Sequence, residues 1–341
     1  MKNRNPGADI IRCLALFLVV SVHFFLNNGF YNEPTVGFKM FIMNVMRAFF
    51  IICVPLFMTL SGYLLRKKEL TLGYYKRIVG IVITYLLASA ACMLFSRFYL
   101  KEAMSLSDVF VKIIKFTGAP YAWYIGMYLG LFLMIPFLNI LYKNVPTKNW
   151  KICLLGSFIA LAAIPAWWGK IYPITYYFIG CYISEYGIKI KKRFNIPLIA
   201  ACTVIYGAST FLQSYKGVFK WNALCDYNSI LSICLTILVF TFFINLNYEK
   251  FPKKLSFVFG KLSGLCLGAY LVSYIFDSLF YPILIRKVPV MTQRLWFFLI
   301  IVPLVYAASL ALSYVLSKIQ KLLEIAFAKL SRLFKKNKTE A

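Results

Sequence analysis

Ten apolar stretches, each close to the length of a bilayer crossing, follow one another along this chain with short polar connections between them. They lie near residues 8–28, 40–65, 78–98, 121–142, 152–168, 171–188, 196–213, 227–247, 262–282 and 295–316. About twenty apolar residues in a helix cross the ~30 Å hydrocarbon core, where every backbone group has to find its partner within its own segment. The expectation is an all-α fold, a polytopic transmembrane helical bundle of about ten spans. Composition agrees, since 61% hydrophobic and only 14% charged residues leave too little polar surface to wrap one water-soluble core.

The formal net charge of +27 raises nucleic acid as a partner, and the placement of the charge argues against it. Basic residues stand in short runs between apolar stretches: Arg66–Lys68, Lys76 and Arg77, Lys143 to Lys151, Lys189 to Arg193, and Lys250 to Lys261. With Lys2 and Arg4 inside, these runs fall on one side of the membrane, as the positive-inside rule requires. Both termini are therefore expected in the cytoplasm of a multi-pass protein of the cell membrane, with lipid and no nucleic acid as surroundings. The first stretch carries polar residues and no small-residue cleavage site, so it is expected to be a retained span rather than a signal peptide. The nine cysteines are scattered without a CxxC pair, so neither a disulfide framework nor a metal site is expected.

Two units follow: a membrane domain over 1–316 and a basic amphipathic cytoplasmic tail over 317–341. In the tail, Ile319, Leu322, Leu323, Phe327, Leu330, Leu333 and Phe334 recur at i, i+3, i+4 spacing opposite basic residues. That pattern predicts a helix lying on the anionic inner leaflet.

The polar inventory inside the spans is short. His23 is the one histidine in the chain and sits in the first span, with Asp9 and Arg12 at its entrance. At 100° per residue, Arg12 projects about 20° from His23 and Asp9 about 40° to the other side, so the three share one stripe. An ionisable group within a span is a functional-site hypothesis by default. Depth separates the three: His23 is about 16 Å of rise from Arg12 and about 21 Å from Asp9. Asp9 and Arg12 are i, i+3 neighbours and are expected to pair near the cytoplasmic face. His23 then stands alone near the outer face, where neutral imidazole is suited to take a proton from a hydroxyl. The second span adds Asn44 and Arg47 at a similar depth, and then Ser61, Gly62 and Tyr63 toward the cytoplasm. Gly62 there admits either close helix approach or a ligand contact. The fourth span opens with Tyr121, Trp123 and Tyr124, which suit an interfacial aromatic belt or the wall of a sugar site.

Taken in order, four blocks resemble the type-3 integral-membrane acyltransferase family. They are Asp9, Arg12 and His23 as D-x-x-R-x10-H; Arg47 followed by VPLFMTLSGYLL; YKRI at Tyr75 to Ile78; and WYIGMYL…P from Trp123 to Pro136. Weaker echoes lie near Gly180 and Tyr270, and the likeness runs over about residues 5 to 316. Two positions depart from it, because Tyr121 and Ser273 stand where the family often has histidine. The resemblance implies transfer of an acyl group, usually acetyl, from cytoplasmic acyl-CoA to a hydroxyl of a cell-envelope polysaccharide or its lipid-linked precursor. The residues suit that chemistry: Arg12, Lys76 and Arg77 are expected at the phosphates of acetyl-CoA as donor substrate, with Ser61 and Tyr63 nearby. His23 is expected as base, Arg47 as a candidate oxyanion donor, and Trp123 and Tyr124 as the acceptor contacts. The chain ends soon after its tenth span, so transfer is expected to finish within the membrane domain or with a partner. An ion-coupled transporter, which also needs buried charges such as Arg47 and Asp277, is the rival reading; the lack of repeated broken-helix pairs counts against it.

Overall fold

A computed structural model describes residues 5–164, 169–222 and 224–339, with side chains described as far as Ala326. The helices are α1 (Pro6–Asn27), α2 (Gly37–Phe50), α3 (Cys53–Leu65), α4 (Leu72–Tyr75), α5 (Ile78–Phe98), α6 (Leu106–Ile114) and α7 (Trp123–Asn144). They continue as α8 (Lys148–Ala163), α9 (Tyr172–Tyr186), α10 (Lys192–Gln213), α11 (Ile230–Ile244), α12 (Lys253–Lys287) and α13 (Phe298–Thr339).

Side-chain contacts fix the direction of each helix. Asp9 accepts from Ser263 at 2.6 Å, and His23 Nδ1 lies 3.4 Å from Asp277. Both pairs are 254 residues apart, so α1 and α12 run parallel and in register over fourteen residues, about 21 Å. Parallel packing also joins α3 to α9, through Arg66 Nε on Ser184 at 2.9 Å and the Cys181 thiol on the Gly62 carbonyl at 3.6 Å. By contrast α8 runs against α9, with Lys151 on Glu185 at 2.9 Å and Thr175 on the Phe158 carbonyl at 3.0 Å. Thus α1, α5, α8, α10 and α12 leave the end of the bundle that carries the basic connections, here the basic end. The pair α2–α3 and the helices α7, α9, α11 and α13 return to it from the far end.

Ten segments therefore alternate, as the apolar pattern predicts, but three of them are short. Among the described residues seven stretches are long and apolar enough to cross a membrane, whereas α8, α9 and α11 have 16, 15 and 15 residues. Fifteen residues rise about 23 Å, less than the ~30 Å core. The ten-span expectation holds in order and only roughly in length. The expected span over 152–168 ends in residues 165–168, which lie outside the described residues. In α9 an unbroken buried run from Thr175 to Cys181 faces protein rather than lipid.

The second span is broken where a continuous one is expected, between α2 and α3. Pro55 has no N–H to offer the Ile51 carbonyl, and the Cys53 thiol approaches that carbonyl at 3.7 Å instead. Gly62 and Gly180 face each other's helices where α3 crosses α9. A Cβ on Gly62 would overlap the Tyr177 carbonyl, and one on Gly180 the Thr59 carbonyl. Of the two uses Gly62 admits, the close helix approach is the one the fold displays.

The tail is the direct continuation of α13, with no break at 316. Ile319, Leu322, Leu323 and Ile325 are exposed along it. The rest of its expected apolar face, Phe327, Leu330, Leu333 and Phe334, lies outside the described side chains.

Candidate functional site

The far end of α1 holds a buried polar cluster that only the fold assembles. His23 is 8% exposed and Asp277 of α12 is 2% exposed. The Tyr121 hydroxyl donates to the same Asp277 oxygen at 2.9 Å, and its ring lies on the imidazole with centroids 3.9 Å apart. Asn27 donates both to the Tyr121 hydroxyl at 3.1 Å and to the His23 carbonyl at 2.9 Å. Because Asn27 gives a proton into the phenol oxygen, the phenol has to give its own to Asp277. Tyr270 in turn donates to the Tyr121 backbone carbonyl.

The 3.4 Å between Nδ1 and Asp277 is within ion-pair range, yet the ring N–H direction misses the oxygen, so Nδ1 makes no aligned hydrogen bond. A second oxygen of Asp277 is likewise without a hydrogen-bond partner among the described residues.

From below this cluster a cavity of about 320 Å³ runs toward the basic end. Val19, Val54, Phe57, Tyr124 and Tyr270 line its upper part, while Tyr128, Ser61, Arg12 and Ser263 line its lower part. Tyr124 and Tyr128 stack one helical turn apart along α7, with centroids 5.8 Å apart. At the lower end Ser263 donates to the Asp9 carboxylate, which lies 4.0 Å from Arg12. Arg12 also reaches Ser263 at 3.5 Å and keeps about a third of its side chain open, which leaves guanidinium surface facing the cavity. The expected Asp9–Arg12 pair is thus present, bridged by a serine of α12.

A second cavity of about 320 Å³ adjoins the first, sharing Ile81, Gly264 and Leu267. Arg77, Thr84, Ser313 and Gln320 line it between α5, α12 and α13. Lys76 is exposed beside Arg77. Of the pair expected near the donor on α3, Ser61 lines the first cavity. Tyr63 does not: it packs on Phe240 with centroids 5.6 Å apart and meets Asn5 at 3.5 Å. Of the pair expected at the acceptor, Tyr124 is buried on the cavity wall. Trp123 is 46% exposed and stacks on Tyr227 of the 214–229 connection at 6.0 Å.

Arg47 belongs to a different environment. It is wholly buried, with Nε on the Tyr31 hydroxyl at 2.9 Å and Nη1 on the Cys225 carbonyl at 3.1 Å. Its guanidinium also lies against the rings of Phe219 at 4.3 Å, Trp221 at 5.0 Å and Tyr31 at 5.4 Å. These rings come from the far-end connections 28–36 and 214–229, which are tied by backbone bonds between Thr35 and Gly217 and between Lys216 and Thr35. Among the described residues, no bond or ring contact of Arg47 reaches His23 and no acid pairs with it. Equal depth along two helices did not make the two neighbours.

Sequence reasoning missed Asp277 as a partner of His23, along with Tyr121, Asn27, Tyr270 and Ser263. A signal for one of them existed: Asp277 is an acid within an apolar stretch, which marks a site by default.

A family model described as an acyltransferase domain matches residues 5–318. No curated protein and no solved structure matches the chain.

Proposed function

The chain belongs to the type-3 acyltransferase family and is a multi-pass membrane protein, and on that premise we propose that it moves an acyl group, acetyl in the first instance, from cytoplasmic acyl-CoA to a hydroxyl of a cell-envelope polysaccharide or its lipid-linked precursor. The observation that carries this reading is the cavity leading from Arg12 to the residues just beneath His23 and Asp277. It supplies a polar entrance, an apolar shaft and a base at its head.

In this reading the basic end faces the cytoplasm and both termini lie there, because the basic connections gather at that end. The phosphates of coenzyme A meet Arg12, Lys76 and Arg77, and the guanidinium groups grip phosphate in bidentate fashion. The pantetheine arm runs along the first cavity past Ser61, Tyr128 and Tyr124 and carries the thioester toward His23. Nε2 takes the proton from the acceptor hydroxyl as its oxygen attacks the thioester carbonyl. The tetrahedral intermediate collapses with loss of the thiolate, which recovers the proton from the imidazolium and leaves as coenzyme A. Asp277 holds the tautomer and stabilises the imidazolium between the two steps, the role a buried carboxylate plays behind any such base. Tyr121 keeps the carboxylate in place, and the tail rests on the inner leaflet.

Labelled acetyl-CoA supplied to sealed, oriented vesicles tests the reading. Label is expected to pass from thioester to glycan only when donor is on the side bearing the Arg66–Lys68 and Lys189–Arg193 connections. Equal use of donor from either side would overturn the through-membrane arrangement. Movement of an ion or solute without any loss of thioester would favour a transporter.

A further inference from the structure

The first cavity stops short of His23. The last residue of α1 on its wall is Val19, one turn and about 6 Å before the histidine. What stands between is Tyr270, which lines the cavity, is 6% exposed, and has its ring centroid 6.4 Å from that of His23. Tyr270 is not free to swing. Its ring sits edge-on against Tyr124, with centroids 5.6 Å apart and planes at 79°, and its hydroxyl donates to the Tyr121 carbonyl. Tyr121 itself is held by Asn27 and Asp277, with its ring centroid 3.9 Å from that of the imidazole. A thioester coming up the shaft therefore arrives at a head walled by Tyr270 and Tyr124, with His23 just beyond. Whatever lies beyond its carbonyl carbon has to fit against the Tyr270 ring.

We propose that Tyr270 is the residue that sets donor length, closing the head of the cavity so that acetyl is accepted and longer acyl chains are turned away. The proposal rests on the reading of the cavity as the acyl-CoA path. Tyr270 acts here by volume and not by its hydroxyl, which is already committed to a backbone carbonyl.

The experiment uses membranes carrying the full chain with their own envelope glycans, supplied with labelled acetyl-, propionyl- and butyryl-CoA. The wild-type protein is expected to transfer acetyl in strong preference to butyryl. Tyr270→Ala is expected to raise the butyryl-to-acetyl ratio of kcat/KM by about tenfold or more, the scale on which a pocket discriminates one or two methylenes. Tyr270→Phe keeps the ring and is expected to keep the wild-type ratio. Wild-type protein that uses butyryl as readily as acetyl would overturn the proposal without any variant. So would a Tyr270→Ala protein, or a Tyr270→Leu protein should the alanine form fail to insert, whose ratio stays at the wild-type value. Wild-type protein that uses no acyl-CoA of any length would sink the donor reading itself, and the length proposal with it.

Discussion

His23 and Arg47 are both buried ionisable side chains toward the far end of the bundle, and they are held by opposite means. His23 has a carboxylate within ion-pair range, a tilted aromatic ring against it and a cavity that ends one turn below it. Arg47 has no acid among the described residues; two hydrogen bonds and the faces of three aromatic rings surround it. A guanidinium keeps its charge at any accessible pH, so rings and carbonyls serve to anchor it. The imidazole instead lies between a carboxylate and an aromatic ring at the top of a cavity. One environment encloses its side chain on every side, the other leaves space beneath it.

The largest effect should come from removing the proposed base. His23→Ala is expected to lower glycan acylation by a factor of about 10² or more while expression and insertion persist. Acylation near the wild-type rate in that protein would end the claim that the two environments differ in function. Asp277→Asn comes next: it keeps shape but offers Nδ1 an amide, and turnover should fall by about tenfold to 10² with donor affinity unchanged. If donor affinity falls instead, Asp277 supports the cavity and not the base.

The reverse split is expected at the basic end, where Arg77→Ala and Arg12→Ala should each weaken coenzyme A binding by about 1.5–3 kcal/mol in direct titration. Full affinity in both proteins would leave membrane orientation as the work of those charges. Arg47→Lys should be smallest, lowering thermal stability in detergent by about 1 kcal/mol as the flat stacking face is lost, with the specific activity of folded protein retained. Lost activity at wild-type stability would instead make Arg47 an oxyanion donor and erase the contrast with His23.

Much of this was legible along the chain. The ten apolar stretches mark the ten segments because lipid forces backbone bonds to be local, and the Asp9–Arg12 pair follows from helical spacing alone. Gly62 admitted two uses, and only its crossing with α9 selects the close approach. What lies across the bundle is not local. Asp277 meets His23 only because α12 happens to lie parallel to α1 in one register, and nothing in the spacing of either helix states that offset. Arg47 misled through depth, since equal rise on two helices says nothing about which faces meet. The shortness of α8, α9 and α11 was hidden because an apolar run does not mark where a helix stops: Ile164, Ile188 and Leu246 continue the pattern beyond the last residues of the three helices.

The shared register of α1 and α12 has a consequence for how the molecule can vary in length. Fourteen residues separate Asp9 from His23 and fourteen separate Ser263 from Asp277, so the two helices act as struts cut to one measure. A single residue gained or lost between Arg12 and His23 would turn the imidazole about 100° away from Asp277 while the lower contacts stayed in place. The same change made in both struts would restore the match at each end and alter only the distance the donor arm has to bridge. The separation of about 21 Å between entrance and base is thus written twice, and it can be edited only in duplicate.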